Sequence, residues 1–365
     1  FGSSLCGSSA CERLSCSQRA DVEAGPTMAG VAEVQPAEAA ATTAPTATPE
    51  ADEDVGPVSP EAKSYGRSLR NCGRSLSRVL NSLNSIEHGV CSNQNMRPKM
   101  EDAHSAIVGS ETPLSPFSFF AVFDGHGGSR CAEFASERLH GYLAEDRETL
   151  GEDAAEALKR AFKRIEEDWT TVALENEWMD GTTAAVALVD SRTGELTVGN
   201  IGDSEVLLGT AYSDETTGYR VLSEVHHVNR NHDELNRITE LGGRIWRGRL
   251  GHSVINPQVV SLSISRSIGD LFFKHEKYTN GIDTGLSAEP YITSTQVASD
   301  GKRATQQFLL VCCDGFWDTV TYQRATDVVA KMLPESGTQA TSEALVRLAQ
   351  EWGSRDNITV IVAQL

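Results

Sequence analysis

Asp124 and His126 stand where an apolar run, residues 119–123, gives way to Asp124-Gly125-His126-Gly127-Gly128. The Phe and Val side chains of that run predict a buried strand. The glycines let the backbone turn tightly and approach a ligand. A carboxylate and an imidazole at such a strand end suit a metal site with an acid or base beside it. Taken alone, Asp-Gly after a strand reads as a turn. The device recurs, however: the run 308–313 ends in Asp314-Gly315, and Asn200-Ile201-Gly202-Asp203-Ser204 places a third Asp in a similar setting. Asp356 and Asn357 lead into a further apolar run, 358–362, and Arg97 precedes the adjacent carboxylates Glu101 and Asp102. Acidic strand ends far apart in sequence can point into one end of a β-sandwich. Every candidate ligand is oxygen, with no Cys/His spacing typical of zinc, which suits Mg²⁺ or Mn²⁺.

The elements that must carry these residues are legible as periodicity. Alternating or β-branched apolar runs predict strands at 85–91, 104–109, 117–123, 183–190, 195–200, 205–210, 219–222, 259–264, 290–297, 307–313 and 358–364. Helical spacing predicts helices at 128–145, 231–241, 322–333, 340–352 and 153–173, the last with a stripe of Leu158, Phe162, Ile165, Trp169 and Val172. Gly242-Gly243 is a helix-stop signal. Many strands with helices between them in pairs, and no regular βαβ alternation, predict an α+β fold.

Composition divides the chain. Residues 27–62 are rich in Ala, Thr, Pro and Glu and bury too little to offset the cost of ordering. Residues 1–26 are Ser, Cys and Gly-rich, and 63–80 read as a basic linker or short amphipathic helix. We expect a low-complexity extension at 1–83 and one domain at 84–365. The net charge of −19 belongs mainly to that domain, since 1–83 hold 10 acidic and 7 basic residues. Such a surface disfavours nucleic acid and anionic membranes. The eight Cys show no framework spacing and read as reduced, intracellular thiols, in cytoplasm or nucleus. Cys6, Cys11 and Cys16 read as part of an untidy end rather than a lipidation signal. No run is long and apolar enough to span a membrane. The chain begins with Phe, so its true start is expected to be missing, which leaves targeting open.

Seven segments appear in one characteristic order: Arg97…Met100-Glu101-Asp102, 122–128, Asp180-Gly181-Thr182-Thr183-Ala184, Gly202-Asp203-Ser204, 265–270, 313–318 and 354–357. Together they resemble the ordered motifs of the type-2C metal-dependent Ser/Thr protein phosphatases (PPM). The resemblance covers residues from about 85 to 365. It implies two antiparallel sheets in a central sandwich, flanked by pairs of helices, with a binuclear metal site at one end. It also implies hydrolysis of phosphoserine and phosphothreonine by metal-activated water, with phosphorylated proteins as substrates and a monomeric enzyme.

Phosphomonoester hydrolysis needs a nucleophile, charge neutralisation and a proton for the leaving alkoxide; two divalent ions supply the first two. A bridging ligand must offer two oxygens, and Asp124 is our choice, with Gly125 giving its carbonyl. By similarity, Asp314 and Asp356 complete the shell, Glu101 acts directly or through water, and Asp203 belongs to a weaker third site. His126 is read as the general acid, the competing reading being a histidine merely oriented by a carboxylate. Arg97 can grip two phosphoryl oxygens through its planar fork, the alternative being a salt bridge with Glu101 or Asp102. Asp270 reads as a turn organiser, Trp317 as core, and the cluster His226, His227 and His232 as a solvated turn.

The segment after Gly243 corresponds to a flap beside the metal centre in that family. Its cationic run, 244–249, nominates Arg247 and Arg249 as substrate-binding, against a reading in which they only neutralise neighbouring carboxylates. Two departures stand out: Glu205 follows Gly-Asp-Ser where the family has Arg, and His226-His227-Val228-Asn229 replaces Asp-His-Lys-Pro. The alternative from another class is a phosphatase-fold pseudoenzyme acting as a binding module. A kinase is disfavoured because no P-loop motif is present.

Overall fold

Phe119 and Phe123 face one way from their strand and Phe120 and Val122 the other, and all four are fully buried. That two-sided burial explains the unbroken apolar run: a strand covered on both faces has no polar positions to alternate with. The computed structural model describes residue 83 and residues 85–109, 112–297 and 304–365. The expected extension 1–83, its linker and its cysteines lie outside these residues. Leu83 is the exception, buried with Ile86 in the core between the sheets.

Two five-stranded antiparallel sheets form the centre, as the resemblance implied. One runs His88–Asn93, Ile358–Gln364, Ala304–Cys312, Glu205–Tyr212, Thr217–Val221; the other runs Tyr291–Gln296, Glu195–Ile201, Ala184–Asp190, Phe117–Phe123, Ala103–Ile107. Phe120, Val122 and Ala187 of the second meet Val206, Leu309, Val311 and Ile361 of the first. Helices cover the outer faces. Leu158, Phe162, Ile165 and Trp169 of the helix Ala154–Asn176 pack with Phe119 and Phe123. Val172, the last of the expected stripe, is only half-buried, and Ala173 takes its place against the sheet. On the other side, Val329, Leu345 and Val346 pack on Phe308, Leu310 and Val362. Cys312 and Cys313 accordingly sit in different cores.

The two expected helices at 322–333 and 340–352 appear as Tyr322–Glu351, broken at Gly337, whose φ is 74°. The helix His232–Glu240 ends as its glycines dictate: Gly242 N–H donates to Thr239 O and Gly243 N–H to Ile238 O. Unforeseen elements are the short helices Arg147–Glu152, Leu271–Lys274, Glu276–Thr279 and Asp314–Trp317, together with a hairpin. That hairpin pairs Arg244–Trp246 with Arg249–Gly251, and its two-residue loop has φ of 49° at Arg247 and 73° at Gly248. Both positive values match the turn geometry that suits the twist of paired strands.

Glu234 anchors this flap region. It is 2 % exposed and accepts hydrogen bonds from Arg237, Arg266 and the Ser265 hydroxyl. Burial alone would raise its pKa, but these donors hold the carboxyl well below the usual range. Its contribution is therefore full at neutral pH and fades only in strong acid, as pH falls through the depressed value. Glu234→Gln should cost roughly 3–5 kcal/mol, because two guanidinium groups lose their buried partner. Urea denaturation reads this directly, and an unchanged unfolding free energy would refute the anchoring role.

Candidate metal centre

A cleft of about 310 Å³ opens at one end of the sandwich, lined by Arg97, Asp124, His126, Thr183, Asp203, Asp314 and Asp356 together with Arg249 of the hairpin. Each acidic residue arrives from its own segment. Asp124 follows the strand Phe117–Phe123, and its backbone is fixed by two bonds: its N–H donates to Thr183 Oγ1 at 3.2 Å and its carbonyl accepts from Thr183 N–H at 2.9 Å. Asp314 opens the short helix after Ala304–Cys312. Asp356 precedes the strand Ile358–Gln364, and Asp203 lies between Glu195–Ile201 and Glu205–Tyr212.

Asn357 ties the upstream motif to this end. It accepts from Glu101 N–H at 2.9 Å and donates to the carbonyls of Gln94 and Lys99 at 2.9 and 3.0 Å. One amide thus positions the segment carrying Arg97 and Glu101 beside Asp356. Gly125 is packed so tightly that a Cβ there would collide with the Glu101 carbonyl. Glu101 does not line the cleft, but its charge acts on the His126 ring.

The donor set fits a divalent cation. Burial raises the Asp124 carboxyl well above its ordinary pKa, and repulsion from Asp314, Asp102 and Asp203 pushes it the same way. Burial and Asp314 raise Asp203 to about 8. Burial raises Asp102 to about 6, against a hydrogen bond from the Thr359 hydroxyl, and its Oδ1 is buried without a partner. Asp102, Asp124 and Cys313 offer ligand atoms within 4.8 Å of one another. Carboxylates in this proximity need protons or cations, and oxygen donors suit hard divalent ions.

His126 is held through Asp270. Its Nε2 lies 2.8 Å from Asp270 Oδ2. Burial alone would lower the imidazole pKa, but the Asp270 charge and hydrogen bond outweigh it and the net direction is up. A small sheet makes the pair possible by joining Gly125–His126, Gly181–Thr182 and Ile268–Gly269. His126 pairs with Gly181, which pairs with Gly269. A Cβ at Gly181 would strike the Asp270 carboxylate, so glycine is needed between the partners. Asp270 therefore does more than organise a turn.

Arg97 bonds Asp356 Oδ2 at 2.5 Å rather than Glu101 or Asp102, and half its side chain remains exposed to the cleft. Arg249 donates to Ser261 Oγ and O at 3.0 and 2.9 Å. Arg247 lies outside the cleft lining, with its guanidinium 4.9 Å from the centre of the Trp246 ring. Arg249 lines the cleft together with Asp124, Asp203, Asp314 and Asp356. Trp317 packs in the outer core as expected. His226, however, is fully buried rather than solvated, and accepts from Gly202 N–H at 3.2 Å. Burial pushes its pKa down to about 3. Sequence reasoning passed over Arg230, 2.7 Å from Asp318, and Tyr322, whose hydroxyl donates to the buried Glu205 at 2.8 and 3.0 Å. Burial lifts Glu205 to about 7. The only local signal for either was the pair of motif departures.

Two antiparallel sheets thus lie under helices, with carboxylates gathered at one end of the sandwich. Residues 86–358 match the family model described as Protein phosphatase 2C, and the chain belongs to that family. It is 37% identical over 280 residues to Protein phosphatase 1E of Mus musculus, covering 74% of this chain and 34% of that relative. The chain thus spans about a third of that relative's length. The fold is similar to a C. elegans sex determining protein (TM-score 0.62, 22% identity, covering 76% of this chain and 64% of that one). It is likewise similar to a serine-threonine phosphatase 2C from Toxoplasma gondii (TM-score 0.59, 19% identity, covering 76% and 94%). Among the described residues no helix is long and apolar enough to cross a membrane.

Proposed function

We propose that residues 84–365 form a catalytic domain that hydrolyses phosphoserine and phosphothreonine in proteins, with Mg²⁺ or Mn²⁺ as cofactor. The observation that carries this reading is one cleft uniting Asp124, Asp314 and Asp356 with Arg97 and the His126–Asp270 pair. Two divalent ions, when bound, would supply water activation and charge neutralisation. Asp124, Asp314 and Asp356 would hold them, with Gly125 contributing its carbonyl and Glu101 acting from the edge. Arg97 is placed to trade Asp356 for two phosphoryl oxygens, because its fork is planar and permanently charged. His126 bonds Asp270 through Nε2, which leaves Nδ1 as the nitrogen that delivers a proton to the departing Ser or Thr oxygen. Asp270 favours the charged imidazolium needed for that delivery. Retention of every acidic position argues against the binding-only reading.

The test is hydrolysis of a phosphoserine peptide and of p-nitrophenyl phosphate with millimolar Mn²⁺ or Mg²⁺, with and without EDTA. Turnover that EDTA abolishes is expected; full activity in metal-stripped protein would overturn the reading.

Arg249 is the hairpin residue placed to meet a peptide. Arg249→Glu should raise KM for a phosphopeptide with acidic flanks several-fold, at little cost to kcat. The effect should shrink with salt, since exposed charges are screened over ~8–10 Å at moderate ionic strength. Arg247→Glu should leave KM unchanged because its side chain stays over Trp246. An unchanged KM in Arg249→Glu would remove the hairpin from substrate binding.

A further inference from the structure

We propose that Arg230 acts as a built-in cation on the Asp203 side of the centre and takes the place of a third divalent ion there. This inference rests on the two-ion reading above. The motif order assigns Asp203 to a weaker third site, but its surroundings in this chain do not suit another dication. Arg230 projects from a turn whose backbone is pinned, since Arg230 N–H and Asn231 N–H both donate to His227 O, at 3.0 and 2.9 Å. From there Nη2 bonds Asp318 Oδ1 at 2.7 Å. Asp318 sits one helical turn beyond Asp314, with its N–H on the Asp314 carbonyl at 2.8 Å. A fixed positive charge is thus bonded to the carboxylate one turn past a candidate ligand.

The same charge reaches further. The turn that carries it is tied to the loop of Asp203, since His226 N–H donates to Gly202 O at 2.9 Å and Gly202 N–H donates to His226 Nδ1 at 3.2 Å. Arg230 in turn is stabilised in its charged form by Asp318, Asp203 and Asp314. A guanidinium does not deprotonate in proteins, so this charge cannot be switched off to admit a metal ion. A dication placed among these groups would meet a permanent like charge and a carboxylate already engaged. Glu205 completes the pattern. It adds a buried carboxylate where the related motif carries Arg, and Arg230 supplies a cation to the same neighbourhood from a different segment. Glu205 and Arg230, which lie 25 residues apart in the chain, read as one rearrangement of charge.

Mn²⁺ binding to the full chain, followed by loss of the free-ion EPR signal up to millimolar concentration, tests this. The wild type should bind about two ions. Arg230→Gln and Arg230→Ala should each gain one more, and adding Asp203→Asn to either should abolish the gain. Both side chains of the Arg230–Asp318 pair are about half exposed, so the variants should melt close to the wild type. Three ions on the wild type, or no gain in the variants, would overturn the inference while leaving the two-ion centre intact. Fewer than two ions on the wild type would instead overturn the functional reading, and this inference with it.

Discussion

Asp124→Asn should lower phosphopeptide hydrolysis at saturating Mn²⁺ by more than about 10³-fold, beyond the ~10²–10³ that loss of a single oxyanion donor costs. An amide keeps the shape but cannot offer two anionic oxygens to two cations. The same substitution should stabilise the metal-free protein, because it replaces a buried acid whose ionisation burial and the neighbouring carboxylates oppose. The sign of the pH dependence follows from the raised pKa. In the folded metal-free protein Asp124 keeps a proton that the unfolded chain releases near pH ~4, so the fold weakens as pH rises above that value. Thermal melts in EDTA from pH 4 to 8 should therefore show the wild type losing more stability than Asp124→Asn. A variant with wild-type turnover, or one less stable than wild type in EDTA at pH 8, would show that Asp124 does not bridge.

His126→Gln should slow hydrolysis of a phosphoserine peptide by ~10²–10⁴-fold, the usual worth of general-acid assistance. It should change p-nitrophenyl phosphate hydrolysis far less. The serine alkoxide is a poor leaving group without a proton, whereas nitrophenolate departs unprotonated. Asp270→Asn should give a smaller loss with a diagnostic pH shift. Without the carboxylate 2.8 Å from Nε2, the imidazolium is less favoured, and the fall in rate on the alkaline side should move to lower pH. Equal losses on both substrates would assign His126 to metal positioning.

The strand ends that carry Asp124, Asp314 and Asp356 were legible in the sequence because strand formation is read over short windows. Each of these residues borders an apolar run buried almost throughout, and a covered strand announces itself locally. Short elements escaped that reading. Gly125–His126, Gly181–Thr182 and Ile268–Gly269 are two residues each, too brief for any periodicity. The hairpin Arg244–Gly251 was hidden because its turn relies on Arg247, a residue with no ordinary preference for positive φ.

The sequence by itself determined the metal-suited chemistry and the α+β class, since oxygen ligands and apolar periods are properties of residues and their near neighbours. Only the tertiary structure decided who partners whom. His126 meets Asp270 across 144 residues, Arg97 meets Asp356 across 259, and Arg230 meets Asp318 across 88. Those pairings follow from sheet order, in which the strands His88–Asn93 and Ile358–Gln364 lie side by side near opposite ends of the folded segment. Sheet order is set by which apolar faces bury each other, a global balance that no local window contains. Hence the same Arg that reads as one more surface charge in the sequence stands in the fold 2.7 Å from Asp318, one helical turn past the candidate ligand Asp314.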